Sequence, residues 1–138
     1  MEVFEVTHET FGKIISKPFH IFGNADFNHL NEHKCDSVHY LLFKEDKYHL
    51  GIIGGIKGGA LLSAFSAPFG GFIHLKESTE ISVLDSAIDL LVNWATSKKL
   101  KAINLTLPPS IYDESFISKQ INSLFNKNFF ILKIELNH

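Results

Sequence analysis

The sequence predicts an α/β fold: one domain over residues 1–138, a mixed sheet with helices on both faces, in the order β–α–β–β–β–α–β–α–β. Three observations carry this. Two neighbouring runs of β-formers, Val38–Phe43 and His49–Ile56, are apolar on both faces, as strands inside a covered sheet are. From Ile81 to Ala95 the apolar residues instead recur at helical spacing. Apolar strand-like runs then follow at Ala102–Leu107 and Phe129–Leu136, with a second helical pattern between them.

Taken in order, Val3–Thr7 alternates as a first strand, and Lys17-Pro18 breaks into an extended piece, Phe19–Phe22. Asn24 or Asp26 caps a short helix running to about Lys34, because either side chain accepts from an otherwise unpaired N–H. A meander follows. Its strands are Val38–Phe43, His49–Ile56 and Ala60–Phe65, with turns at Glu45-Asp46-Lys47 and Lys57-Gly58-Gly59. Ser78 or Thr79 caps the next helix, whose stripe is Ile81, Leu84, Ile88, Leu91 and Ala95, with Val92 beside it. Glu80 and Lys98-Lys99 lie at the ends that the helix dipole favours. Pro108-Pro109 ends the strand Ala102–Leu107. Asp113 or Ser115 then opens a helix carrying Phe116, Ile117, Ile121, Leu124 and Phe125.

Composition narrows the class of protein. A chain of 138 residues that is 45% hydrophobic and 20% charged is globular, and thirteen phenylalanines make its core aromatic. The formal charge is −2 and every basic residue is a lysine, which argues against nucleic acid or an anionic membrane as partner. No stretch reads as a signal peptide, and no apolar run approaches the ~20 residues that span a bilayer. With Cys35 as its single cysteine the chain closes no internal disulfide, and a cytoplasmic location is expected. The apolar strand at 129–136 has no element after it to cover its edge. That predicts either a second domain C-terminal to this chain or a homo-oligomer.

Two short motifs add a resemblance. They are Ser66-Ala67-Pro68-Phe69-Gly70-Gly71-Phe72, after the third meander strand, and Leu107-Pro108-Pro109-Ser110-Ile111-Tyr112, after the following one. With the segment Phe19–Asn28 and the element order, they resemble the N-terminal GNAT-like half of FemAB-type acyltransferases. The resemblance implies a half-site domain of an acyl- or aminoacyltransferase. Such a domain helps form the cleft for a small-molecule or peptide amine acceptor, while a second domain supplies the donor site. Catalytic GNAT domains carry Gln/Arg-x-x-Gly-x-Gly/Ala before the helix that holds the coenzyme A pyrophosphate. Here that stretch reads Gly70-Gly71-Phe72-Ile73-His74-Leu75-Lys76-Glu77, so no cofactor is expected in this domain, acetyl-CoA included. The alternative is an interaction or oligomerisation domain without enzymatic activity.

Substrate-binding candidates are Ser66, Phe69, Gly70, Gly71 and Tyr112; no catalytic residue is assigned. Phe69-Gly70-Gly71-Phe72 either lines a cleft, its glycines letting a ligand approach the backbone, or forms a loop anchored by two core rings. Tyr112 presents its hydroxyl to the same cleft or caps a loop. If the strands before these segments are parallel neighbours, both leave from C-terminal strand ends and face one crevice. His29-x-x-Glu32-His33 matches a zinc-peptidase pattern, but without a third ligand it reads as a solvated helix face, and no metal is expected. Gly51, Gly54-Gly55 and Gly58-Gly59 fit no phosphate loop; glycines inside strands mark bulges or close packing. Cys35 and His39 lack a third catalytic partner. Trp94 lies off the main stripe of its helix, facing a partner or a boundary.

Overall fold

A computed structural model describes residues 1–75 and 79–129. Strand β1 (Glu2–Val6) leads into helix α1 (His8–Ile14), a short 3-10 turn (Ile21–Gly23) and helix α2 (Ala25–Leu30). After a second 3-10 turn (Glu32–Lys34) come strands β2 (Ser37–Lys44), β3 (Tyr48–Lys57), β4 (Ala60–Ser63) and β5 (Ile73–His74). Helix α3 (Ile81–Ser97), strand β6 (Ala102–Leu105), a third 3-10 turn (Ser110–Tyr112) and helix α4 (Glu114–Asn126) complete the described elements. The expected strand Phe129–Leu136 lies, from residue 130 on, outside the described residues.

Among the described residues the sheet has six strands in the order β1-β2-β3-β4-β6, with β5 also paired to β3. The meander is antiparallel, as its turns require. Gly58 and Gly59 take φ of +60 and +78, the left-handed region where a side chain is strained. β4 and β6 are parallel neighbours in register Leu61↔Ile103, as expected for strands joined by a crossover helix. The long β3 has a divided edge. β4 pairs with Gly55–Lys57 and β5 with Leu50 and Gly51; among the described residues, Ile52–Gly54 has no strand partner on that side.

Alternation along β2 sends Leu41 and Phe43 to one face and Tyr40 and Leu42 to the other, and each face has its own core. On the first, Leu84, Ile88 and Leu91 of α3 and Phe116 and Leu124 of α4 cover Phe43, Leu50, Ile52, Leu61 and Phe72. On the second, Phe11 and Ile15 pack with Tyr40, Leu42, Ile53 and Ile73. Phe43 and Phe72 are fully buried with ring centroids 5.5 Å apart, and burial of such a ring stabilises the fold by about 2–3 kcal/mol.

Several expectations give way to tertiary context. Helix α1 falls in a stretch with no predicted element; it starts because Thr7, expected as the end of the strand, accepts a hydrogen bond from the Thr10 N–H. The helix expected to reach Lys34 stops at Leu30. Asn24 caps it as expected, but the Asn28 and Asn31 amides donate back to carbonyls at Phe22, Asn24 and Phe27, and competition of this kind ends helices early. The third meander strand ends at Ser63 rather than Phe65. Glu80, not Ser78 or Thr79, occupies the N-cap of α3, with no side-chain cap bond. Ile81, placed on the apolar stripe of its helix, is exposed, as are Ile121 and Phe125 of α4. Trp94 is partly buried, edge-on to His39 at 5.0 Å, with the Lys98 ammonium 5.6 Å from its ring centre. No helix among the described residues is long and apolar enough to cross a membrane.

Candidate functional site

The two segments that resemblance singled out leave from the C-terminal ends of the parallel pair β4 and β6, and they meet. Phe69 lies with its ring 5.2 Å from that of Tyr112, and the Gly70 N–H donates to the Thr106 carbonyl at 2.7 Å. Phe69, Gly70 and Gly71 are buried, while Tyr112 is 48% exposed at the rim and Ile111 is 90% exposed. Ser66 does something else: its hydroxyl accepts from the Lys34 ammonium at 2.8 Å.

The crease is filled by the protein itself. The Gly71 N–H donates to Ser63 Oγ at 3.0 Å, and the Phe72 N–H donates to Gln120 Oε1 at 3.1 Å. Three consecutive N–H donors, at 70, 71 and 72, are therefore spent inside the chain, whereas a pyrophosphate or oxyanion cradle needs such groups aimed at the ligand. The glycines serve close packing. A Cβ at Gly70 would sit 2.6 Å from the Ala64 nitrogen, and one at Gly71 2.6 Å from Leu107 Cδ2. The strand glycines behave likewise: Phe11 and Ile15 cover Gly51, Leu61 covers Gly54, and Cys35 and Phe65 cover Gly55.

His20, unassigned from sequence, lies at the bottom of the crease. It is 4% exposed, its ring is 5.1 Å edge-on from Phe69 and 4.7 Å from Phe19, and among the described residues neither ring nitrogen has a hydrogen-bond partner. Burial pushes its pKa down from 6.5 to about 4, so the ring is neutral at pH 7. It borders a cavity of about 10 Å³ together with Ile53, Ser63, Gly70, Gly71 and Ile73, next to the unpaired stretch of β3. That volume is about the size needed for one water molecule. The one sequence signal for His20 was a histidine set in the apolar run Phe19–Phe22.

Gln120 is the other residue that sequence reasoning missed. It is fully buried, and its amide contacts the backbone of one residue twice: Oε1 accepts from the Phe72 N–H, and Nε2 donates to the Phe72 carbonyl at 3.4 Å. Gln120→Leu should destabilise the fold by about 2–4 kcal/mol in urea denaturation, since it strands two buried backbone groups. A loss below about 0.5 kcal/mol would show that the clamp is idle. Nearby, His74 Nε2 lies 2.8 Å from Asp113 Oδ2, and Asp113 Oδ1 caps α4 by accepting from the Phe116 N–H.

The remaining sequence candidates resolve differently. His29 and His33 do not share a helical face, because α2 ends between them. His8 takes the place beside His29 instead, the two rings stacked at 3.6 Å with Glu32 adjoining. Burial raises the Glu32 carboxyl, but hydrogen bonds from His29 and Tyr40, with the positive charge available at His29 and His8, outweigh it and leave the pKa lowered. Burial, and secondarily the bond to Glu32, pushes the Tyr40 phenol well up. His39 bridges Glu5 at 2.6 Å and Ser37 at 2.8 Å. Burial also raises the Cys35 thiol, which disfavours the thiolate a nucleophile needs.

No protein-family model, no curated protein and no solved structure matches this chain.

Proposed function

We propose that this chain is a GNAT-like half-site domain of an acyl- or aminoacyltransferase, and that it supplies one wall of the cleft for an amine acceptor. The observation that carries the reading is the convergence of the segments after β4 and β6 at the C-terminal ends of a parallel pair, where open α/β sheets bind ligands. The wall is the rim rather than the crease: Phe22, Phe69 and Tyr112 form a ladder of rings, with Ile111 beside Tyr112 facing solvent. A second domain or a second copy of the chain completes the cleft and brings the acyl donor. A second reading, an interaction domain without catalysis, draws support from the filled crease and its spent N–H donors.

Amide NMR of the ¹⁵N-labelled chain separates the two. A short peptide with a free N-terminal amine, added at millimolar concentration, should shift Phe69, Ile111 and Tyr112, and its N-acetylated form should not. Equal responses to the two peptides, or none, would leave the interaction domain standing. Calorimetric titration with acetyl-CoA should give no binding at micromolar concentrations, because the N–H groups that would hold its pyrophosphate are engaged. A micromolar Kd would restore a complete enzyme in this one domain.

A further inference from the structure

Three ligand-type side chains from separate elements converge beside α1 and α2. His8 is the first residue of α1, held there by the Thr7 cap; His29 lies in the last turn of α2; Glu32 opens the 3-10 turn that follows. One ligand atom from each lies within 4.8 Å of those of the other two. The rings of His8 and His29 are nearly parallel, 8° apart at 3.6 Å. Glu32 Oε2 lies 2.9 Å from His29 Nδ1 and accepts from the Tyr40 hydroxyl at 2.8 Å.

We infer that His8, His29 and Glu32 are the protein ligands of a divalent transition-metal ion of the zinc class. Two imidazoles and a carboxylate are the donor set that zinc takes from proteins when it keeps an open coordination position. The supporting shell is present: Tyr40 is buried, packs edge-on to Phe11 at 5.8 Å, and fixes the carboxylate from behind, as partners of metal ligands do. Access is present as well. His29 is exposed, and His8 also lines an open pocket of about 370 Å³ with Glu9, Lys13, Asn24 and Asp26. An ion there would tie together α1 and α2, helices of seven and six residues, too short to hold themselves without tertiary support. The site lies outside the crease of the proposed acceptor wall and stands or falls independently of it.

The test uses the tag-free chain, stripped with a chelator and titrated with Zn²⁺ against a chromophoric competitor, then with Co²⁺ to record its visible bands. One equivalent should bind. His8→Ala, His29→Ala and Glu32→Gln should each weaken binding by at least about tenfold, Tyr40→Phe by about tenfold, and His33→Ala by less than about twofold. In the unaltered protein, Zn²⁺ should shift the imidazole ¹⁵N resonances of His8 and His29 and leave those of His33 in place, a readout independent of any variant's folding. Absence of saturable binding, or binding lost in His33→Ala and kept in His8→Ala, overturns the site.

Discussion

Lowering the pH from 7 to 4 should remove about 3 kcal/mol of stability that a His20→Leu variant does not lose. His20 titrates near 6.5 when unfolded and at about 4 when folded, so between those values the unfolded chain holds a proton that the native ring excludes. Its contribution is complete above pH 6.5 and falls away as acid is added toward 4. The size follows from the displacement at about 1.4 kcal/mol per pH unit. The direction follows from burial among Phe19, Phe22 and Phe69, with no acceptor at either nitrogen among the described residues. Carboxylates elsewhere add their own acid dependence, so the quantity to measure is the difference between the two proteins in urea denaturation across that range. Leucine should be close to neutral at pH 7, since it replaces a buried polar ring without an added cavity of any size. Parallel stability curves for the two proteins would show that His20 is solvated in the native state.

Gly70→Ala should cost about 3 kcal/mol or more, and Gly71→Ala less, although both glycines are buried in the same loop. At Gly70 the new methyl would lie 2.6 Å from the Ala64 nitrogen and 2.7 Å from the Ser63 carbonyl carbon. Both are backbone, so relief requires moving the end of β4 and straining the 2.7 Å bond from the Gly70 N–H to Thr106. At Gly71 the obstacle is the tip of Leu107, which can rotate, and the residual cost is the φ of +87, about 1–3 kcal/mol for a side chain. Urea midpoints followed by circular dichroism give both values. If the order were reversed, or if Gly70→Ala cost under about 1 kcal/mol, the loop would not be packed as described.

The parts of the fold visible in the sequence are those decided by local pattern. β2 and β3 are apolar on both faces, and α3 repeats its apolar residues every three or four positions, so the meander, the crossover helix and the parallel pair β4 and β6 follow. The meeting of Phe69 with Tyr112 followed in turn from that topology. What stayed hidden depends on partners far along the chain. β5 is two residues long and is a strand only because β3 lies beside it. Gln120 reads as one polar residue on a helix until Phe72, 48 positions earlier, arrives at its amide. His29 and Glu32 advertised a motif with His33, but local amide bonds ended the helix and His8 arrived from another element. Glycine ambiguity is of the same kind: spacing shows that something approaches the backbone, and only packing shows that it is protein.

The Gln120 clamp has a further effect at the margin of the sheet. Leu75 donates to His49 on β3, so by alternation along the strand Phe72 turns its N–H and carbonyl toward the opposite, outer side. A primary amide carries the same donor and acceptor as a peptide unit, and at Phe72 it occupies both positions that an incoming strand would use. Helix α4 thus contributes one rung of imitation sheet. It seals that margin against a foreign strand with a side chain rather than with the charged or proline residues that more often guard such sites.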